Sequence, residues 1–345
     1  MAHPWRVRSG SVTRADIPGL QAPDATLEAE LRARLDLVER ALERAVVADY
    51  DLMTEAAGYL LSSGGKRFRP MLVLLAGCFG EPSDPRIVSG AVAIELTHVA
   101  TLYHDDVIDE AEYRRGRPSV NANWDNSVAI LSGDYLFARA SEISADLGTE
   151  VTRLLARTIA TVCDGQVREV SMAGRLDQDQ RSYMETIRRK TASLIATSCR
   201  LGAMLSGAPA DRVELLDGYG EALGMGFQLS DDIMDVVSTD TVLGKEPGVD
   251  IKEGVYTLPV LHALAEGTDR EELAGILRPG PPDGERLHRA LAIVRSDGSL
   301  AHARAAVTDE VRKARALARK LPPGTPREAM LHLAEFLAVR CGAAP

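Results

Sequence analysis

Apolar residues recur at steps of three and four along almost the whole chain, and this period constrains the fold more than any other feature. Leu27, Leu31, Leu35, Val38 and Leu42 form one such stripe, the pattern of a helix with a single buried face. Asp24 stands where its N-cap belongs. The same spacing runs through PMLVLLAGCFG, GAVAIELTHVATLYHDD, VAILSGDYLFARASEIS, VTRLLARTIATVCDGQ and YGEALGMGFQLSDDIMDVV. Breakers separate these segments, among them SSGGK, GEPSDP, RGRPS, SGAP, RPGPPDGE and LPPGTP. Alternating β-branched runs bounded by hairpin turns are missing from the sequence. The expectation is therefore all-α: a flexible arm over residues 1–23, then one domain over residues 24–345 with ten or more helices around one core. No repeat of a few tens of residues is visible, which argues against a solenoid.

Aromatic residues make up only 4 % of the 345 residues, so the core must be built from Leu, Ala and Val. The net charge of −10 argues against a nucleic-acid partner. Cys78, Cys163, Cys199 and Cys341 are far apart and form no C-x-x-C pair. That spacing fits neither a zinc site nor a disulfide scaffold and suits a reducing compartment. The first twenty residues lack the continuous apolar stretch of a signal peptide. No run approaches the roughly 20 apolar residues of a spanning helix. A cytoplasmic protein is expected.

Two clusters of aspartates interrupt this pattern. Asp105, Asp106 and Asp109 form one D-D-x-x-D at the end of an apolar segment, and Asp231, Asp232 and Asp235 form another. On a helix, positions i and i+4 share a face, so Asp105 points with Asp109 and Asp231 with Asp235. Bare carboxylates so placed repel, and a hard divalent cation removes that penalty. Oxygen-only ligands suit Mg²⁺, which binds few carboxylates together with water and phosphate oxygens. One such cluster reads equally well as a solvated helix end; two, each beside apolar sequence, do not.

Cations lie near both clusters. SSGGKRFRP carries Lys66, Arg67 and Arg69 behind a glycine pair, in the manner of an anion-binding turn. Arg114 and Arg115 follow the first cluster, Lys190 stands beside Thr191, and Lys245 follows the second cluster. Singly these are ordinary surface charges; with two Mg²⁺-type clusters they point to phosphate groups. A competing pattern is the pair of E-x-x-H segments, Glu95 to His98 and Glu285 to His288, as in carboxylate-bridged di-iron bundles. It leaves both aspartate clusters and the paired arginines without a role. HDD at His104 suggests a helical phosphohydrolase, but no suitably spaced upstream histidines complete that site.

The full set is G-G-K-x-x-R, D-D-x-x-D, R-R-G, a second D-D-x-x-D and G-K, in that order from about Leu60 to Leu261. It resembles the trans-prenyltransferases, or polyprenyl diphosphate synthases. The resemblance implies a helical bundle around a central cavity. It also implies Mg²⁺-dependent head-to-tail condensation of isopentenyl diphosphate with an allylic diphosphate, giving an all-trans, lipophilic polyprenyl diphosphate. By the same resemblance, Asp105, Asp109 and Asp231 would ligate Mg²⁺, roughly three ions per active site with Mn²⁺ as a substitute. Asp106, Asp232 and Asp235 would support those ions. Arg114, Lys190 and Lys245 would hold the allylic diphosphate, and Lys66, Arg69, His98 and Arg115 that of isopentenyl diphosphate. Thr191 and Gln228 would turn oxygen atoms to the developing carbocation, with Gln166 near the reacting centre. A homodimer is implied as well. One departure is Val255, in EGVYTLP, where the family often has Lys; Lys252 lies three residues earlier.

Thr97, Ala100 and Thr101 precede Asp105 on the same helix. A growing chain should pass along them, since a helix turn of about 5.4 Å is comparable to one isoprene unit. In the family, large aromatics there stop growth early; here they are small, and Ser141 adds room. The expectation is a heptaprenyl to decaprenyl product. The alternative is a geranylgeranyl or farnesyl diphosphate synthase, with Ala100 and Thr101 serving only close helix packing. A class I terpene cyclase generally lacks the G-G-K-x-x-R and R-R-G pieces. A non-catalytic subunit of a heteromeric synthase tends to lose one aspartate cluster, and both are intact.

Overall fold

The computed structural model describes residues 25–238 and 247–343. Asp24, the arm before it and Lys245 lie outside the described residues. The first helix, α1 (Ala25–Ala45), buries the stripe Leu27, Leu31, Leu35, Val38 and Leu42 as the spacing requires. There follow α2 (Asp51–Ser62), α3 (Phe68–Gly77), α4 (Arg86–Ile108), α5 (Val120–Asn123), α6 (Asn126–Asp146) and α7 (Thr149–Met172). Next come α8 (Gln180–Ile187), a π-helical turn (Arg188–Ala192), α9 (Ser193–Leu205) and α10 (Ala210–Val237). The chain closes with α11 (Val249–Glu253), α12 (Leu258–Glu266), α13 (Arg270–Leu277), α14 (Gly284–Ser296), α15 (Ser299–Ala318) and α16 (Thr325–Arg340). The fold is an all-α, single-domain bundle. RGRPS is more than a breaker, however: Tyr113–Arg114 and Arg117–Pro118 pair antiparallel. Arg115 and Gly116 both take positive φ between them, as the tightest hairpin turns require.

The core lies where α4 packs on α6, α10 on α9 and α15, and α3 on α9. Every residue of α3 from Pro70 to Gly77 is buried. A helix apolar all round belongs in the interior. Glycines set how closely these helices approach. A Cβ on Gly202 of α9 would lie 2.1 Å from the Val73 carbonyl oxygen of α3. Two buried tyrosines bring their own polar partners. Tyr103 donates to the Ala56 carbonyl at 2.7 Å, and Tyr219 to the Met330 carbonyl at 2.7 Å, so both rings are buried without an orphaned hydroxyl. Asp125 and Asp179 cap α6 and α8 by accepting from the backbone N–H groups of Val128 and Ser182. All four cysteines are free thiols. Among the described residues no helix is long and apolar enough to cross a membrane.

The Gly202 contact gives a test of the packing. The facing atom belongs to the backbone and cannot swing aside, so Gly202→Ala should destabilise the fold by about 1–3 kcal/mol. The measurement is the urea midpoint, which should fall at constant slope; an unchanged midpoint would mean α3 and α9 are farther apart than described.

Candidate active site

Helices α4 and α10 both end in aspartates, and both ends open into one cavity of ≈ 720 Å³. The negative end of the helix dipole makes this a poor place for carboxylates, and their mutual repulsion makes it worse. On the α4 side, Asp105 and Asp109 line the cavity. Burial pushes the Asp105 carboxyl up to about 6; Lys190 opposes that shift, while Asp109 and Glu169 add to it. Asp106 points elsewhere. It is buried and accepts from Arg114 Nε at 2.6 Å, so it stands behind the wall and holds Arg114 in it. One residue along a helix turns a side chain away from its neighbour's face, so Asp106 pairs with Arg114 and does not line the cavity itself.

On the α10 side, Asp231 lines the cavity and pairs with Arg340, the last residue of α16. Arg340 also lies over the Phe227 ring, 5.7 Å from its centroid. Asp232 is buried and accepts from the Tyr183 hydroxyl and, at 2.8 Å, from Gln228 Nε2. Burial moves its carboxyl upward against those two bonds. Asp235 accepts from the backbone N–H groups of Val249 (3.1 Å) and Asp250 (3.3 Å). It thereby caps α11 while still lining the cavity.

Cations and polar groups complete the walls. Lys190 sits on the π-helical turn and bonds Glu169 of α7. The turn is clasped by two glycines: a Cβ on Gly165 would meet the Lys190 nitrogen at 2.5 Å, and one on Gly224 the Ala192 Cα at 2.6 Å. π-helical turns recur at functional sites. Thr191 Oγ1 donates to Gln228 Oε1 at 2.8 Å, so a chain of bonds runs Thr191 to Gln228 to Asp232. With its proton committed there, the Thr191 oxygen keeps a lone pair for the cavity. Gln166 is buried with neither amide atom bonded. At the far end, Arg69 Nη1 lies 3.1 Å from His98 Nε2. An arginine only donates, so that nitrogen accepts and Nδ1 carries the proton. Burial and then Arg69, Arg115 and Arg114 hold His98 well below its usual value, hence neutral.

Lys66 is exposed. Arg115 donates to the carbonyls of Leu60 and Gly64 at 2.9 and 2.6 Å; neither cation lines the cavity. Val255 lines it, whereas Lys252 is exposed and does not. Of the small residues expected along the product path, only Thr101 lines the cavity. Thr97 and Ala100 are buried, and that stretch of α4 packs against α6, where the Ala100 carbonyl faces Gly133. Ser141 is exposed on α6 and donates to the Phe137 carbonyl. The apolar walls are instead Leu102, Val162, Leu194 and Phe227, the last stacked on Phe68 at 5.3 Å.

Sequence reasoning missed Tyr183, Glu169, Asp250, Glu253 and Arg340. Asp250 and Glu253 follow Lys245 within eight residues, but no spacing in the sequence marks them. Arg340 belongs to no motif and reaches the site only through the return of α16. A shallower hollow of ≈ 580 Å³ elsewhere is lined by Arg86 and Arg200, whose charges are already paired with Asp84, Asp217 and Glu214.

Comparison with known proteins agrees with this geometry. The polyprenyl synthetase family model matches residues 50–294. The nonaprenyl diphosphate synthase of Mycobacterium tuberculosis is 39 % identical over 94 % of this chain and 98 % of its own length. Heptaprenyl diphosphate synthase component 2 of Geobacillus stearothermophilus is 48 % identical over 70 % of this chain and 76 % of that protein. The crystal structure of geranylgeranyl pyrophosphate synthase from Corynebacterium glutamicum, complexed with calcium and isoprenyl diphosphate, superimposes with a TM-score of 0.83. It is 40 % identical and covers 93 % of this chain and 99 % of that one. Fold, cavity and relatives together define a prenyltransferase. The chain belongs to the polyprenyl synthetase family.

The buried carboxylates make stability depend on pH. Burial raises Asp105, Asp232 and Asp250 above the ordinary carboxylate range, so the folded chain holds protons that the unfolded chain has released. Stability in the absence of metal must then fall as pH rises from about 4 through the raised values. The thermal midpoint in EDTA should be higher at pH 6 than at pH 8, and Asp105→Asn should reduce that difference. A midpoint that rises over this range would contradict the burial of these groups.

Proposed function

We propose that the chain condenses isopentenyl diphosphate head to tail with an allylic diphosphate, in the presence of Mg²⁺, to give an all-trans product of heptaprenyl to decaprenyl length. The observation that carries this reading is the pairing of two carboxylate ends, α4 and α10, across one cavity whose far end holds Arg69 and His98. The donor set fits a hard divalent ion, since Asp105, Asp109, Asp231 and Asp235 offer only oxygen. Among the described residues no three acidic, histidine or cysteine side chains converge closely enough to hold an ion alone. Diphosphate oxygens and water would therefore supply the remaining ligands, with Asp105, Asp109 and Asp231 as the protein's share. Such ions would neutralise the charge that grows on the departing diphosphate.

The chain's own residues divide the remaining work. Lys190 and Arg114 face the carboxylate side and stabilise the leaving diphosphate, with Lys245 as a third cation. Arg69 and His98, with Lys66 and Arg115 at the edge, take the second substrate's diphosphate. As the allylic C–O bond breaks, Thr191 and the Gln228 carbonyl turn oxygen dipoles towards the cation, and Gln166, buried with its amide unbonded, would join them. The second substrate's double bond attacks, and the proton it loses passes to the departing diphosphate. Leu102, Val162, Leu194 and Phe227 keep water from capturing the cation. The heptaprenyl and nonaprenyl relatives support a long product, as does the small Thr101. Exposed apolar residues on α6 (Ile130, Leu131) and α7 (Val167, Val170) support a homodimer. The second reading takes its support from the relative named as one component of a synthase: this chain would then need a different partner chain.

Incubation of the purified chain with isopentenyl diphosphate, separate allylic primers and Mg²⁺, followed by mass analysis, tests the proposal. All-trans chains of about seven to ten isoprene units are expected. Activity only after a second protein is added would favour the heteromeric reading, and no elongation under any condition would end both. Thr101→Phe should shorten the product by at least one unit without abolishing turnover; an unchanged distribution would remove Thr101 from the product path.

A further inference from the structure

The E-L-T-H segment contributes more than His98. We propose that buried Glu95 is the counter-charge around which the diphosphate pocket of isopentenyl diphosphate is assembled, with Arg67 as its buttress and not a ligand. The identity of that substrate rests on the function proposed above. Cations crowd this corner. A Cβ on Gly65 would lie 2.7 Å from Arg67 Nη1 and 3.0 Å from Arg115 Nη1, so two guanidiniums meet over one glycine. Arg69 stands against His98, its Nε buried and unbonded. Without an anion such a group would spread apart.

Glu95 answers that repulsion from within α4, one turn before His98. It is 2 % exposed and accepts from Arg67 Nη1 at 3.1 Å. Arg67 is turned inward: four of its five N–H donors are spent on protein groups, and it does not line the cavity. It is 6 % exposed, and it donates to Glu39 through Nε and Nη2 and to the Leu61 carbonyl at 2.8 Å. Its backbone adopts a left-handed φ of 44° at the start of α3, a strained state for a residue with a Cβ. The anchored side chain holds that turn, and the turn aims Lys66 and Arg69. Burial lowers the proton affinity of Arg69 and of Arg115, and Glu95 is the foremost charge opposing the loss in each.

The sign of one substitution separates assembly from mere proximity. A carboxylate that only sits near an anion pocket repels the anion, so neutralising it should tighten binding. If Glu95 assembles the pocket, Glu95→Gln must weaken binding. We expect KM for isopentenyl diphosphate to rise about tenfold, with KM for the allylic substrate within about threefold of the parent. Calorimetric titration of inorganic diphosphate in EDTA should show a matching loss, because without metal the carboxylate side of the cavity offers no anion site. Glu39→Gln neutralises the exposed partner of Arg67 but leaves it an oxygen to donate to, so both constants should stay within about threefold. Glu95→Asp keeps the charge but withdraws it by one methylene. It should give a smaller, still selective loss, and it carries the test if Glu95→Gln does not fold. Unchanged or tighter binding in Glu95→Gln, or equal losses for both substrates, would overturn the proposal. A parent chain that binds inorganic diphosphate but makes no prenyl product would end the functional reading and leave the titration to decide the role of Glu95.

Discussion

Carboxylates at the C-terminal ends of two buried helices are the constraint around which the rest of this structure is arranged. Each end already carries the negative pole of its helix, and Asp105, Asp109, Asp231 and Asp235 add charge at both. The apolar faces of α4 and α10 fix these ends within the core, so the aspartates cannot move apart. Cations are distributed among these acids: Arg114 pairs with Asp106, Lys190 with Glu169 and Arg340 with Asp231. The raised Asp105, Asp232 and Asp250 carboxyls record what remains uncompensated. On the function proposed above, a substrate bringing both anionic oxygen and divalent cations would relieve this repulsion, and binding and catalytic electrostatics would be the same interaction.

The opposite corner reverses the polarity. There the excess is cationic, and a single buried carboxylate, Glu95, holds it in check. On the function proposed above, the carboxylate face would need metal to accept a diphosphate and the cationic corner would not, an asymmetry suited to telling two diphosphates apart. Arg114 and Arg115, adjacent in the chain, divide between the faces: Arg114 lines the cavity on Asp106, and Arg115 grips the α2–α3 turn through the Leu60 and Gly64 carbonyls.

Much of this was legible in the sequence because it is written in helical period. The α1 stripe, the two D-D-x-x-D faces and the Thr191–Gln228 neighbourhood follow from spacing and resemblance. What escaped depends on which way a helix rotates in its packed position. Ala100 and Thr101 are consecutive, yet α6 covers the first while the second meets the cavity. Ser141 shares the apolar α6 segment but faces outward. Asp106 was grouped with its neighbours by motif and separated from them by 100° of helix. Arg340 arrives from the other end of the chain, which no local pattern can foretell. The RGRPS hairpin shows the same limit on a small scale, since Arg115 supplies a positive φ where glycine would be expected.

On the function proposed above, metal ions join the two carboxylate ends through a shared diphosphate. Anomalous diffraction from crystals grown with Mn²⁺ and an unreactive allylic thiodiphosphate tests it most directly. Manganese peaks are expected beside Asp105 and Asp109 and beside Asp231, with the diphosphate between them and Arg340 released from Asp231. Manganese at one end alone, or a diphosphate bound with Arg340 still on Asp231, would contradict it.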